Sequence, residues 1–202
     1  MILFFDTETT GLPNFRAPMD DDSQPHLVQL ACLLTEDDGT ERSSLSLIVN
    51  PRAPIPAGAS AVHGITDLIA DRAGVFNETA VAMWSRLAER ADLLVAHNIR
   101  FDMAIMAAAH ARHSPGGLLK MDKAHAGRAR FCTLDAAAPI VNLPPTEKMV
   151  AAGFNKPKPP KLEECIQYFF GETLEGAHDA LVDVRACARV FFHLKVLEKV
   201  AA

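Results

Sequence analysis

No apolar run in this chain approaches the roughly 18 to 20 residues that a membrane-spanning helix needs, so no membrane partner is expected. The first residues, Met1-Ile-Leu-Phe-Phe-Asp6, lack the basic start and small-residue cleavage site of a secretory signal, which makes a cytoplasmic location the expectation. Cysteine is sparse: Cys32, Cys132, Cys165 and Cys187 include no Cys-x-x-Cys pair. That spacing argues against a zinc site and for ordinary reduced thiols. A basic excess is missing too. The formal net charge is −5, so the chain is no broadly basic nucleic-acid scaffold. Any contact with nucleic acid must be local. Lys120 to Arg130 and Lys156 to Lys161 are the two stretches that offer one, although both also read as solvated loops. Internal repeats are absent.

What remains is a chain of 202 residues, 49% apolar and 22% charged. This fits one globular domain over residues 1–202. The apolar run Ile2 to Phe5 predicts a buried central strand, and Leu27 to Leu34 and Ser43 to Val49 predict two more. The Asp38-Gly39 pair between the latter two is a hairpin signal, so an antiparallel meander is expected. Pro51 to Gly64, rich in Pro, Ala and Gly, reads as a long loop. Asn77 is placed to cap a helix running to Ala91, with Val81, Trp84, Leu87 and Ala88 on one face. A strand at Leu93 to Ala96, a helix from about Ile99 to Arg112, a strand at Arg130 to Thr133 and a short helix from Leu134 follow. Residues 142 to 160, with five prolines, read as an irregular excursion, and helices over Leu162 to Phe170 and Asp179 to Val200 end the order. The expected architecture is α/β, a mixed central sheet of about five strands flanked by helices.

Three acidic groupings sit at telling places. Asp6 and Glu8, two apart on a strand, share a face at its carboxyl end, where α/β sheets bind ligands. Two carboxylates held together repel, and each takes up a proton unless a cation neutralises them. Oxygen ligands suit Mg²⁺ or Mn²⁺. In His97-Asn-Ile-Arg-Phe-Asp102, a carboxylate again follows a strand and opens a helix, while His97 reads as a satisfied core histidine. In His178-Asp-Ala-Leu-Val-Asp183 the offset of five matters, because residues five apart on a helix stand roughly 140° apart. With Asp179 as cap, Asp183 is fixed one turn inside the helix and His178 lies in the loop before it. A solvated strand-end turn, a carboxylate at a helix N-terminus and an ordinary capped helix are the plain alternatives for the three taken singly. In combination, a catalytic reading outweighs them.

These groupings resemble the DEDDh exonuclease family, to which the proofreading subunit of bacterial replicative polymerases, ribonuclease T and oligoribonuclease belong. Asp6-Thr-Glu-Thr-Thr-Gly11, His97-Asn-x-x-Phe-Asp102 and His178-x-x-x-x-Asp183 are similar to its three motifs, and Val62-His-Gly-Ile-Thr66 to a signature of the proofreading branch. The resemblance runs from about residue 2 to residue 195. It implies a ribonuclease H-like fold and two divalent cations, Mg²⁺ or Mn²⁺, on Asp6, Glu8, Asp102 and Asp183, with His178 as general base. The sister branch places a tyrosine one position later in the third motif, where this chain has Asp179. By the same resemblance Thr9 and Gly11 would present backbone to the terminal nucleotide, His63 would approach its sugar, and Asn98 and Phe101 would line the pocket. Phe101 also reads as core and Gly11 as a turn. Two departures stand out: Gln29 where the family often carries Glu, and a long Pro- and Lys-containing segment from 142 to 161.

The expected activity is 3′→5′ exonuclease action on single-stranded or frayed DNA, with a nucleic-acid 3′ end as partner. A 3′→5′ exoribonuclease or small-oligonucleotide hydrolase of the same family is the alternative within the class. A non-catalytic nucleic-acid or polymerase-associated binding subunit is the alternative from another class. The chain stops shortly after its last helix, so no C-terminal polymerase-tethering tail is expected.

Overall fold

A computed structural model describes residues 1–113, Met121 and 127–201. Most of the Lys120 to Arg130 stretch lies outside them. The strands are β1 (Ile2–Thr9), β2 (Leu27–Thr35), β3 (Glu41–Asn50), β4 (Val75–Phe76), β5 (Leu93–Ala96) and β6 (Ala129–Cys132). They form one sheet in the order β4-β3-β2-β1-β5-β6. The meander is present: β1 pairs antiparallel with β2, and β2 antiparallel with β3. β5 pairs parallel with both β1 and β6, each connection being a crossover through helix. The expected five strands are joined by a sixth, β4, whose two residues are too few to carry a hydrophobic period.

β1 is central and fully wedged between helices. Its odd residues Leu3 and Phe5 pack into a core with helix α3 (Asn77–Ala88) and helix α4 (Ile99–His113), around Trp84, Met103 and Met106. Its even residues Ile2 and Phe4 pack against α8 (Ala180–Ala201), on Val184, Cys187, Ala188 and Phe191. α5 (Thr133–Val141) and α7 (Leu162–Phe170) close the α8 side through Ala137, Val141, Cys165 and Ile166. Trp84 is wholly buried, with its ring 5.6 Å from that of Phe5. Trp84→Ala is expected to cost about 3–5 kcal/mol, read as a lower midpoint in urea at unchanged slope, because the void cannot be refilled.

Three expectations are corrected. Pro51 to Gly64 is not all loop: α1 (Ala57–His63) starts directly after Pro56, and α2 (Asp67–Ala73) follows. Proline is compatible with a helix start, and the proline cluster ends at 56. Asn77 does not cap α3. It is the helix's first residue, and its side-chain amide donates to the Ala109 carbonyl at 2.8 Å, tying α3 to α4. Within the expected irregular excursion lie the short helix α6 (Glu147–Ala151) and a bridge between Leu143 and Lys158.

Candidate active site

The alternation of β1 continues past its apolar half. Asp6 and Glu8 extend the even-numbered face toward the start of α8, while Thr7 extends the odd face toward α4. Thr7 Oγ1 donates to Asp102 Oδ1 at 2.9 Å, which clasps the buried Asp102, in the first turn of α4, to the strand. α8 begins just beyond Asp179, whose carboxylate accepts the Leu181 N–H at 2.9 Å as the expected cap. Asp183 then lies one turn inside, where its Oδ2 accepts the His178 N–H at 3.1 Å. Its Oδ1 is buried and meets no hydrogen-bond donor.

Asp6 and Glu8 feel the other carboxylates. Burial, and then the charges of Asp102, Asp183 and Glu8, hold the Asp6 carboxyl well above the ordinary range. Burial followed by Asp183 and Asp102 pushes Glu8 up to about 8. Burial raises Asp102 against the opposing hydrogen bond from Thr7, and it raises Asp183 as well. Carboxyl groups gathered this closely suit a cation. Glu8, His178 and Asp183 each present a ligand atom within 4.8 Å of the others. The buried, unpartnered Asp183 oxygen and the mainly oxygen donor set fit a hard divalent ion.

The loop placement of His178 is as the offset of five requires. The residue is exposed and has a left-handed backbone (φ 70°), a conformation costly for a non-glycine residue. Asn98, at the turn between β5 and α4, is held likewise at φ 74°. A cleft of about 580 Å³ opens beside the carboxylates, within the range of ligand sites. Asp6, Asn98, Phe101, His178 and Asp183 line it. Phe101 lines the cleft and also packs on the main core.

Glu8, Thr9, Gly11, His63 and Asp102 lie off that lining. Thr9 Oγ1 donates to the Gly11 carbonyl at 2.5 Å and closes a tight turn after β1. A Cβ on Gly11 would meet nothing within 4 Å, so open space surrounds it. His63 ends α1. Its Nδ1 accepts from the Ile65 N–H at 3.1 Å, and the ring faces the Thr9 backbone.

Leu12 was not foreseen as a contributor, whereas the stretch ending at Lys161 was one of the two offered for a local contact. Leu12 lines the cleft, as do Pro159, Pro160, Lys161 and Leu162 from the end of the Pro- and Lys-containing segment. His97 anchors that wall: Nδ1 is 3.0 Å from Thr133 Oγ1 and Nε2 is 3.1 Å from the Pro160 carbonyl. It is thus the satisfied histidine expected, and burial lowers its pKa. Gln29, opposite Glu8 in the sheet, bridges Ser46 and the N–H of Ala180, the first residue of α8. A glutamate there would accept that N–H equally well, so the departure from the family pattern leaves this tie intact.

The family model for the RNase_T exonucleases matches residues 3–191. The chain belongs to this exonuclease family. A DNA polymerase III subunit epsilon-like protein of Rhodobacter capsulatus is 37% identical over 103 residues, covering 50% of this chain and 13% of that one. An uncharacterized exonuclease, CP81, of Escherichia phage 186 is 43% identical over 65 residues, covering 32% of this chain and 27% of that one. Among solved structures, E. coli exonuclease I in complex with a dT13 oligonucleotide aligns with a TM-score of 0.73 at 20% identity. The alignment covers 96% of this chain and 40% of that one, and the likeness establishes the ribonuclease H-like fold. The chain spans less than half the length of each of these relatives. Among the described residues, no helix is long and apolar enough to cross a membrane.

Proposed function

We propose that the chain acts as one catalytic domain, a 3′→5′ exonuclease that releases 5′-mononucleotides from single-stranded or frayed DNA. One observation carries this reading: four carboxylates from β1, α4 and α8, whose charges converge on Asp6, meet beside an open cleft with an unpartnered buried oxygen on Asp183. Membership of an exonuclease family supports it. Asp6, Glu8, Asp102 and Asp183 would hold two divalent cations, Mg²⁺ or Mn²⁺. Such ions, when bound, supply a nucleophile at neutral pH and stabilise the leaving 3′ oxygen.

His178 takes the proton from the attacking water. Its place supports that role: beside Glu8 and Asp183, exposed, and oriented by its own N–H to Asp183 rather than by a buried ring contact. Thr9 and Gly11 offer backbone to the terminal nucleotide, in the open space beside Gly11. His63 approaches the sugar from the end of α1, and Asn98 and Phe101 form the cleft wall on which the base rests.

DNA is favoured by the single-stranded DNA ligand of the exonuclease I structure and by the epsilon-like relative. A digestion panel tests the reading: 5′-labelled and 3′-labelled single-stranded DNA, duplex DNA and RNA, each with Mg²⁺, Mn²⁺ or EDTA. The expected result is a ladder shortening from the 3′ end, fastest on single-stranded DNA and abolished by EDTA. Shortening from the 5′ end, or activity that survives EDTA, would sink the polarity or the metal dependence respectively.

A further inference from the structure

Two segments that contribute residues to the cleft wall also carry a pair of exposed side chains that the carboxylate chemistry does not use. The loop after β1 carries Leu12, 84% exposed, and Phe15, 48% exposed. Leu12 lines the cleft, so Phe15 follows three residues beyond it. The guanidinium carbon of Arg100 lies 4.2 Å from the centroid of the Phe15 ring. Arg100 belongs to the first turn of α4, between Asn98 and Phe101, which both line the cleft. Two separate elements, each with neighbouring residues in the cleft wall, therefore bring an aromatic ring and a cation together.

The loop is held in place by its own wiring. Gln24 is only 2% exposed, and its side chain accepts the Asn14 N–H at 3.1 Å. It donates to the Asn14 carbonyl at 2.9 Å and the Pro18 carbonyl at 3.0 Å. Arg112, at the end of α4, donates to the Gln24 and Pro25 carbonyls. A buried glutamine thus clasps both sides of the turn that carries Phe15, and α4 carries both Arg112 and Arg100. Both members of the pair are positioned by the same helix.

Charge makes the pair conspicuous. The cleft lining holds Asp6, Asp183 and Glu163, and its one lysine, Lys161, is tied to Glu163 at 3.0 Å. Among the described residues no carboxylate lies within ion-pair distance of Arg100. A polyanionic strand entering an acidic cleft needs a local cation for its phosphate and a flat apolar surface for its base. A guanidinium stacked on a ring keeps its N–H edges free for phosphate oxygens.

Resting on the exonuclease reading above, we propose that Phe15 and Arg100 form a docking platform for the strand on the 5′ side of the terminal nucleotide, Phe15 stacking a base and Arg100 holding the adjoining phosphate. The platform is sequence-tolerant, because every base has a face to stack.

The test compares substrates that reach the platform with one that does not. KM is measured for a p-nitrophenyl ester of a 5′-mononucleotide and for DNA oligonucleotides of two, three and five residues. KM for the wild-type chain is expected to fall by about 5- to 150-fold once the strand reaches the ring, the range supplied by one base stacked on an aromatic side chain. In Phe15→Ala that step is lost, and the loss appears in KM rather than kcat. Phe15→Trp restores it. Arg100→Gln shrinks the step and flattens the dependence of KM on salt. A step that persists in Phe15→Ala overturns the platform. Should the wild-type chain release no nucleotide from any 3′ end, the exonuclease reading fails instead. The platform is then judged by binding of a fluorescein-labelled DNA pentamer in Ca²⁺, where Phe15→Ala must weaken Kd by the same range or the proposal falls.

Discussion

Asp6→Asn is expected to abolish nucleotide release while making the metal-free protein more stable. Both effects come from one property: Asp6 stands where the fields of Asp102, Asp183 and Glu8 converge. Removing one of the four carboxylates that would hold the ions forfeits several kcal/mol of transition-state stabilisation. That corresponds to a loss of about 10³-fold or more in kcat, since each 1.36 kcal/mol is tenfold. The amide is nearly isosteric and uncharged, so it relieves like-charge repulsion with no new void. The midpoint of thermal unfolding in EDTA at pH 8 should therefore rise by about a few degrees. The midpoint gained on adding Mg²⁺ should shrink. Unchanged nucleotide release in the variant would refute the placement of the site. A lower midpoint in EDTA would refute the electrostatic account while leaving the catalytic one in place.

The second large effect is the dependence of stability on pH, and its sign depends on metal. Glu8 is raised to about 8 in the folded chain, well above the ordinary glutamate value it regains on unfolding. The folded state then binds more protons than the unfolded state between roughly pH 4.5 and 8, so stability falls as pH rises. The contribution is complete below the unfolded value and gone above the folded one. Asp6, Asp102 and Asp183, raised in the same direction, add to the same slope. In EDTA the thermal midpoint should decline across that window by about several degrees. Saturating Mg²⁺ or Mn²⁺ should remove most of the decline, because the ions bind the ionised carboxylates and favour the folded state by mass action. Melting curves at pH 5, 6.5 and 8, with and without metal, measure both slopes. Parallel curves with and without metal would mean that the carboxylates do not hold the ions.

The sequence made the acids legible because each follows a recognisable local signal: the end of an apolar strand, a strand-to-helix junction, or a helix cap. Residues such as Thr7 and Gln29 carried no such signal. Thr7 is one more β-branched residue in a buried strand, and its bond to Asp102 depends on where α4 packs. Gln29 meets Glu8 only through the register of β1 with β2, and Ala180 only through the docking of α8. Such contacts are set by tertiary packing, which periodicity does not encode. The same holds for the cleft wall at Pro159 to Leu162, fixed by His97 more than 60 residues earlier in the chain. α1 and α2 were hidden for a local reason. Each is a seven-residue helix flanked by proline or glycine, and only Ala70 of the two is buried, so no apolar stripe marks them.

The pairing of β1 with α8 also has a consequence in time. Glu8 and Asp183 are about 175 residues apart in the chain, yet share one cluster. At the usual pace of translation, roughly 5–20 residues per second, the first motif emerges roughly 10 to 35 seconds before the last. Until Asp183 is made the nascent polypeptide has at most three of its four carboxylates, and the even face of its first strand lacks the helix it packs on. On the proposed reading, a chain with this arrangement stays inert toward the nucleic acid around its own ribosome until synthesis has passed Asp183.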